Sequence, residues 1–549
     1  MGSVVVIGGG PGGSTAATMV ARTGHRVLLL EREQFPRAHI GESLLPASMP
    51  ILEELGVADA VAAAGFEKKW GATMVWGRTP GPWSWYFAET NTTHPHAYQV
   101  WRPTFDALLL DNSRAAGVEV REQARVTEVL TEGESVVGVR WVDESGGAHE
   151  ERPDLVIDAS GQAALVGHAL RLRRYDPAFR NMAVYAYFDG ATRLPDPDAT
   201  NILVESYPDG WLWVIPLHNG LVSVGAVVDI DVARPRLRGD ALEPFLRHEI
   251  AESELAAKLL AGASKVDGPF GIRDWSYTSD RLVGDGYVLV GDAACFVDPL
   301  FSSGVHLALT SGLLAAAYAV TLFDDPELGA AAAPVYQELY QGQYDRFHQL
   351  AQLFYASNTT IDSYFWEARR MLGGLDRGDS VGAEPSRGRA EHAARLEFIR
   401  AVAGQPPQGY ERVVLDRGQL PEEVAHLLDA AAAELRGRRD EVARLGPALL
   451  NAVPHLAPGA AVERRPVLDR GRFEWGTVLV SDHRREAVPV GRVVTALVGA
   501  IDGNRTVSGV VAQIGASLGL DHERLEALAP SLRAALETLY ADGVIASFG

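Results

Sequence analysis

The chain has 549 residues, 47% of them hydrophobic and 22% charged, with a formal net charge of -21. That is the make-up of a globular protein too long for one compact core, and its negative field excludes nucleic acid as a main partner. The single cysteine, Cys295, excludes an internal disulfide and a thiolate metal centre and points to a reducing, cytoplasmic compartment.

In chain order, SVVVIGGGPGGSTAATMVARTGHRVLLLER reads as strand, glycine turn, helix and second strand, a βαβ unit. Its first apolar run is short and lacks a basic start, so it is not read as a secretory signal. Gly8, Gly10 and Gly13, with Gly9 and Gly12 between them, supply the tight turn and the close backbone approach that a pyrophosphate needs. Glu31 ends the second strand where a ribose hydroxyl would lie. This turn alone does not choose between FAD and NAD. Only four residues of the chain are lysines, Lys68, Lys69, Lys258 and Lys265, so lysine stands out where it occurs. His94-Pro95-His96 has metal-like spacing, but the proline and the missing third ligand make it a loop.

From 178 the pattern changes to short alternating runs broken by Asp209-Gly210 and Asn219-Gly220, the mark of antiparallel hairpins. Within them DGWLWVIPL puts Trp211, Trp213 and Ile215 on one strand face and stops at Pro216; a packed core face is the simplest reading. YVLVGDAACFVDPLFSSGVHLALTSGLLAAAYAV then returns to strand, loop and long helix. The strand delivers Asp292 to a glycine turn, where its carboxylate can accept ribityl hydroxyls. Two nucleotide signals so far apart in sequence indicate one extended cofactor lying across both, and FAD has that length. The apolar stretch from Val305 contains His306, Thr310, Ser311 and Gly312 and runs into Asp324-Asp325, so a buried helix is expected rather than a membrane span. Ser302 and Ser303 beside His306 suggest a nucleophile and base, a reading the glycine-strand context disfavours.

The expected fold is α/β, of two-domain FAD monooxygenase type: a Rossmann-like FAD domain carrying an inserted antiparallel sheet. Residues 1–177 and 271–325 form the FAD domain, 178–270 the inserted substrate sheet, 326–462 a helical region with a mobile loop at GGLDRGDSVGAEPSRGRAEH, and 463–549 a small winged-helix-like unit. The acidic balance favours packing or protein contact over DNA for that last unit. No internal repeat is visible.

GGGPGG, PRAHIGESLLP, QVWRPTFDALLL, GWLWVIP and GDAACFVDPLFSSGVHLA together resemble the flavin-dependent halogenases, over about residues 1–325 and most closely in the bacterial branch acting on carrier-bound or small natural-product intermediates. The resemblance implies FAD contacts at Gly9, Gly12, Glu42 and Ser43 of the GES motif, Arg102 and Val305, and a halide held at Ser303-Gly304. A tight turn before a helix offers the backbone N–H groups for such an anion. It also implies that Lys69, one residue ahead of Gly71-Ala72 once Trp70 is passed, carries hypohalous acid to substrate. Guanidinium stays protonated and cannot replace it. An acid of the RDWSYTSD stretch, Asp274, is linked covalently to the flavin in some relatives. Further implications are FADH₂ from a separate flavin reductase, O₂, chloride or bromide, and an electron-rich aromatic, pyrrole or enolic substrate, free or carrier-bound, in secondary metabolism such as antibiotic biosynthesis. The alternatives are a flavin hydroxylase, a flavin-dependent reductase of double bonds, and a scaffold whose partner-binding part is its C-terminal third. In a halogenase, Trp211, Trp213 and Ile215, with Pro216 at the end of the run, would form a wall that keeps substrate away from the flavin.

Overall fold

The computed structural model describes all residues except 238–240, 362, 364, 368, 370–384, 407 and 483, and of 273–275, 385–392 and 484–486 it describes the backbone alone. The chain divides into two compact units, one of Met1–Pro326, Leu339–Asp376 and Pro407–Pro421, the other of Glu327–Glu338, Arg377–Pro406 and Glu422–Gly549. The helical region expected over 326–462 is thus shared between both units. The loop expected at 373–392 falls mainly outside the described residues, and from Pro385 the chain is helical, to Ala403.

Two large sheets frame the first unit, beside a three-stranded and a two-stranded one. One has six strands in the order Val283–Gly284, Tyr287–Leu289, Leu155–Asp158, Ser3–Ile7, Arg26–Leu30, Glu119–Arg121, all parallel except the first hairpin. SVVVI is buried at four of five positions because sheet neighbours flank it and helices cover it, which is why it reads as a continuous apolar run. Two of those helices, Pro11–Arg22 and Gly304–Asp324, pack on each other. Gly312 sits so close to Thr15 and the Gly12 carbonyl that a Cβ there would stand 2.6 Å from that oxygen. Helix Gly304–Asp324 is long and apolar enough to cross a membrane, but 72% of its most apolar stretch is buried inside the protein.

The second sheet has seven strands: Ser264–Ser279, Arg173–Asp189, Val222–Asp229, Gly210–Pro216, Ile202–Tyr207, Gly71–Val75 and Trp83–Tyr86. The hairpins at Asp209-Gly210 and Asn219-Gly220 lie where the turn residues put them. Two expectations need correction. The sheet is not confined to 178–270, since it takes in Gly71–Val75 and Trp83–Tyr86 from the first FAD segment and its long strands overrun both ends. Nor is it wholly antiparallel, because Ile202–Tyr207 pairs with Gly71–Val75 in parallel. GATMV is buried and needs a strand neighbour, but no local periodicity says which one.

Alternation within Gly210–Pro216 separates two environments. Leu212 and Val214 enter a core with Val184, Tyr207, Phe245 and Leu246 under helix Leu242–Ala251, while Trp211, Trp213 and Ile215 face the opposite way.

In the second unit helices Arg492–Ala500, Val507–Leu518 and His522–Ala541 bury Leu497, Val510, Leu532 and Leu536 together. Strand Ile545–Phe548 pairs with Pro454–Leu456. The sequence reading missed an antiparallel meander ahead of these helices, Ala461–Asp469, Arg472–Ser481 and Arg484–Pro489.

Candidate active site

A cavity of about 870 Å³ opens at the carboxyl ends of the parallel strands, where open α/β sheets hold their ligands. Gly8, Gly10, Gly12, Glu31, Glu42, Ser43, Arg102, Asp292, Gly304 and Val305 line it. Gly8 has φ +101, and a Cβ there would collide with the Ala159 carbonyl. Gly13 does not line the cavity, and a Cβ there would stand 2.0 Å from the Gly8 carbonyl oxygen. Gly13→Ala is therefore expected to push the turn outward, and equilibrium dialysis with FAD should show at least a hundredfold weaker binding than wild type.

The donors and acceptors at this cavity fit a dinucleotide. Glu31 is buried and accepts the Gly9 N–H at 2.7 Å and the Glu33 N–H at 2.8 Å, leaving acceptor capacity on its carboxylate for a ribose hydroxyl. Arg37 lies beside Gly10. Its buried Nη1 stands 3.3 Å from Asp106 in an ion pair and makes no hydrogen bond among the described residues, a donor that fits a pyrophosphate oxygen. Arg102 donates to both Asp106 oxygens at 2.8 and 2.9 Å and to the Ile40 carbonyl at 2.5 Å, pinning the segment that carries the GES motif to the cavity rim. Glu42 accepts the Tyr187 hydroxyl at 2.8 Å and its own neighbour Gly41 N–H at 3.1 Å, and burial raises its carboxyl. Burial likewise pushes Asp292 up to about 6 against the opposing pull of Arg102 and Arg173.

Lys69 ends strand Glu67–Lys69, which pairs with Ala97–Gln99. Alternation turns Lys68 outward, over the Trp70 ring, and Lys69 inward, where it is 2% exposed. Its ammonium donates to the Leu44 carbonyl at 3.1 Å and reaches Ser302 Oγ at 3.4 Å, with the Phe87 ring 5.3 Å away. Burial pushes its pKa from 10.5 down to about 7. Near neutral pH the amine is therefore about half unprotonated, a state that no exposed lysine reaches.

Ser302 takes a left-handed conformation (φ 57), and the helix Gly304–Asp324 starts just beyond it. Asp298 opens this turn by accepting the Leu300 N–H at 2.9 Å. Ser302 and Gly304 are on the cavity wall; Ser303 is buried at the helix start and does not line it. Trp211, Trp213 and Ile215 also line the cavity as one strand face, but Pro216 does not. Trp213 donates to Ser223 Oγ at 3.3 Å, and Trp211 to the Tyr355 hydroxyl at 2.5 Å.

The site thus gathers in one cavity residues that lie far apart in the chain. The sequence reading missed Arg37, Tyr187, Asp298 and Tyr355; PRAHIGES and FVDPLF contained the first and third in plain view, whereas nothing local marks Tyr187 or Tyr355. The side chain of Asp274 lies outside the described residues. His306 faces Ser48 Oγ at 3.5 Å and burial pushes it down to about 4, so it serves neither serine of the turn as a base. Among the described residues no group of three or more His, Cys, Asp or Glu side chains is placed to hold a metal.

A parallel sheet with a glycine turn, an acid at the end of the second strand and a large second sheet closing the cavity define a FAD-dependent oxidoreductase of the monooxygenase-type fold. Residues 3–170 match the FAD-dependent oxidoreductase family model and residues 88–432 the tryptophan halogenase model. The chain belongs to the tryptophan halogenase family and is a flavin-dependent halogenase. It is 37% identical over 372 residues to the tryptophan 2-halogenase of Chondromyces crocatus, covering 67% of this chain and 70% of that one. With the 1H-pyrrole-2-carbonyl-[peptidyl-carrier protein] chlorinase of Pseudomonas fluorescens it shares 30% identity over 75% of this chain and 96% of that protein. Among solved structures the myxobacterial chondrochloren halogenase CndH superposes with TM-score 0.64 at 38% identity, over 78% of this chain and 96% of that one. The flavin-dependent halogenase CmlS does so with 0.74 at 29%, over 99% and 95%.

Proposed function

We propose that the protein makes hypohalous acid from chloride or bromide and delivers it through Lys69 to an electron-rich aromatic, pyrrole or enolic substrate of secondary metabolism. When bound, FADH₂ supplied by a separate flavin reductase provides, with O₂, the two-electron oxidation: FADH₂ + O₂ + X⁻ + H⁺ gives FAD + HOX + H₂O. Glu31, Arg37 and the glycine turn would hold the adenosine and pyrophosphate, and Glu42, Asp292 and Val305 the flavin end. The turn at Ser303-Gly304 would offer backbone N–H groups to the halide. The Trp211, Trp213 and Ile215 wall excludes substrate from that end, so only a small oxidant crosses.

The observation that carries the reading is the buried setting of Lys69, with no carboxylate partner among the described residues and one hydrogen bond from Ser302 on the cavity wall. A neutral amine there can hydrogen-bond HOX or exchange it for N–X and water, and the aromatic carbon then takes X and gives up its proton. The name of the pyrrole-carrying relative supports a carrier-bound substrate as one form.

The test is mass spectrometry of candidate substrates, free and carrier-loaded, incubated with protein, FAD, a flavin reductase, O₂ and either halide. A product bearing chlorine or bromine, made by the wild type and absent with Lys69→Ala, is expected. An oxygen-only mass shift indifferent to halide would instead make the protein a hydroxylase.

A further inference from the structure

Helix Pro326–Ser357 brings Tyr355 between the indole wall and the turn that precedes Gly304. Its hydroxyl accepts Trp211 Nε1–H at 2.5 Å and donates to Asp298 Oδ2 at 3.1 Å. Asp298 uses its other oxygen to accept the Leu300 N–H inside the turn. A second arm reaches the same carboxylate oxygen: Asn181 Nδ2 lies 3.4 Å away, and Asn181 Oδ1 accepts Arg369 Nη2–H at 2.9 Å. All of these side chains are buried. The Tyr355 ring is itself fixed, edge-on to Trp76 and Phe179 at 5.4 Å each and stacked near Trp366 at 5.9 Å.

Trp211 and Asp298 both line the cavity, one from the strand Gly210–Pro216 and one from the turn before Gly304, and they share one partner. A hydroxyl that accepts from one and donates to the other holds the two walls at a fixed separation, since moving either leaves a buried polar group unpaired. We infer that Tyr355 is a positioning residue that sets the gap between the indole wall and the halide turn through the Trp211–Tyr355–Asp298 chain. The inference rests on the halide reading given under Proposed function. Its consequence is specific. A gap held at one width retains halide and excludes water, whereas a gap that breathes lets halide leave and the oxidising equivalents escape as hydrogen peroxide.

The variant is Tyr355→Phe, which keeps the ring and removes both hydrogen bonds. Its control is Tyr344→Phe on the same helix, which also loses a buried hydroxyl, 3.4 Å from Ser276 Oγ, but touches neither wall. The holoenzyme with its reductase is assayed for bromide KM, kcat at saturating bromide, and the ratio of halogenated product to peroxide. Tyr355→Phe is expected to raise bromide KM at least fivefold and to lower the product-to-peroxide ratio in subsaturating bromide, with kcat within about twofold of wild type. Tyr344→Phe is expected to change none of the three. If Tyr355→Phe does not retain FAD, Trp211→Phe, which removes the other donor of the chain and trims the ring that carries it, is expected to raise bromide KM and lower the product-to-peroxide ratio in the same sense. A bromide KM unchanged in whichever of these variants folds, or an equal rise in Tyr344→Phe, overturns the inference. No saturable bromide response in the wild type would overturn the halide reading and the inference together.

Discussion

Replacing Lys69 with methionine is expected to abolish halogenation while raising the thermal midpoint of the protein. The two effects have one cause. Lys69 is buried with no carboxylate partner among the described residues, and burial, which lowers its pKa from 10.5 to about 7, disfavours its charged form. At pH 7 that penalty is on the order of 4 kcal/mol, from 1.36 kcal/mol per unit. Methionine has a similar length and no charge, so it relieves most of the penalty but strands the Leu44 carbonyl, which now accepts from the ammonium at 3.1 Å. A net gain of about 1–3 kcal/mol is left. Flavin oxidation and peroxide release should continue, because Lys69 does not line the cavity that fits the dinucleotide.

The same group fixes two pH dependences with opposite reference points. In the folded chain Lys69 is neutral above about pH 7, and in the unfolded chain only above 10.5, so between these values the unfolded state binds the extra proton. Its contribution to stability therefore improves as pH rises from 7 towards 10.5 and is flat and unfavourable below 7. Activity follows the folded value alone: halogenation should fall about tenfold per pH unit below 7, while peroxide release does not fall with it. Parallel product and peroxide profiles check this, and a product profile that is flat from pH 5 to 8 would remove the neutral amine from the reaction.

How much of this was legible in the sequence follows from the range of each interaction. The βαβ unit, the hairpins and the alternation of Trp211, Trp213 and Ile215 are local, and each lies where its turn residues and period put it. The choice between Lys68 and Lys69 came from a motif, and strand alternation supplies its physical basis: one side chain out over Trp70, the next one in. By contrast, the parallel pairing of Gly71–Val75 with Ile202–Tyr207 joins segments far apart in the chain, and periodicity carries no partner. Tyr355 was invisible for the same reason: on its own helix it is one apolar-facing aromatic among several, and only the fold sets it between Trp211 and Asp298. Asp298 carries no local mark of its second contact, because an Asp before Pro is in itself an ordinary turn former. The turn it forms is real, and its second oxygen faces elsewhere.

The second large effect is expected at Trp213, where removing the indole should convert a halogenating site into one that mainly makes peroxide. Trp213 is 4% exposed, lines the cavity and packs 6.1 Å from Trp211, ring centre to ring centre. The neighbouring strand makes room for it with Gly225, where a Cβ would overlap the indole. Trp213→Ala should destabilise the protein by about 3–5 kcal/mol through the cavity it leaves and open the space beside the flavin to water and substrate. Stability alone cannot separate a wall from ordinary core, because both would lose it. Gly225→Ala separates them. It keeps both tryptophans but drives the Trp213 ring off its seat, at about 1–3 kcal/mol. If the indole's position governs passage, Gly225→Ala should shift product towards peroxide nearly as far as Trp213→Ala does, despite the smaller loss of stability. If the face is only core, the product-to-peroxide ratio of both folded variants stays at the wild-type value and the melting temperatures alone change. Measuring both quantities on the same FAD-loaded preparations decides between them, since the wall reading ties the ratio to where the indole sits and the core reading ties nothing but stability to it.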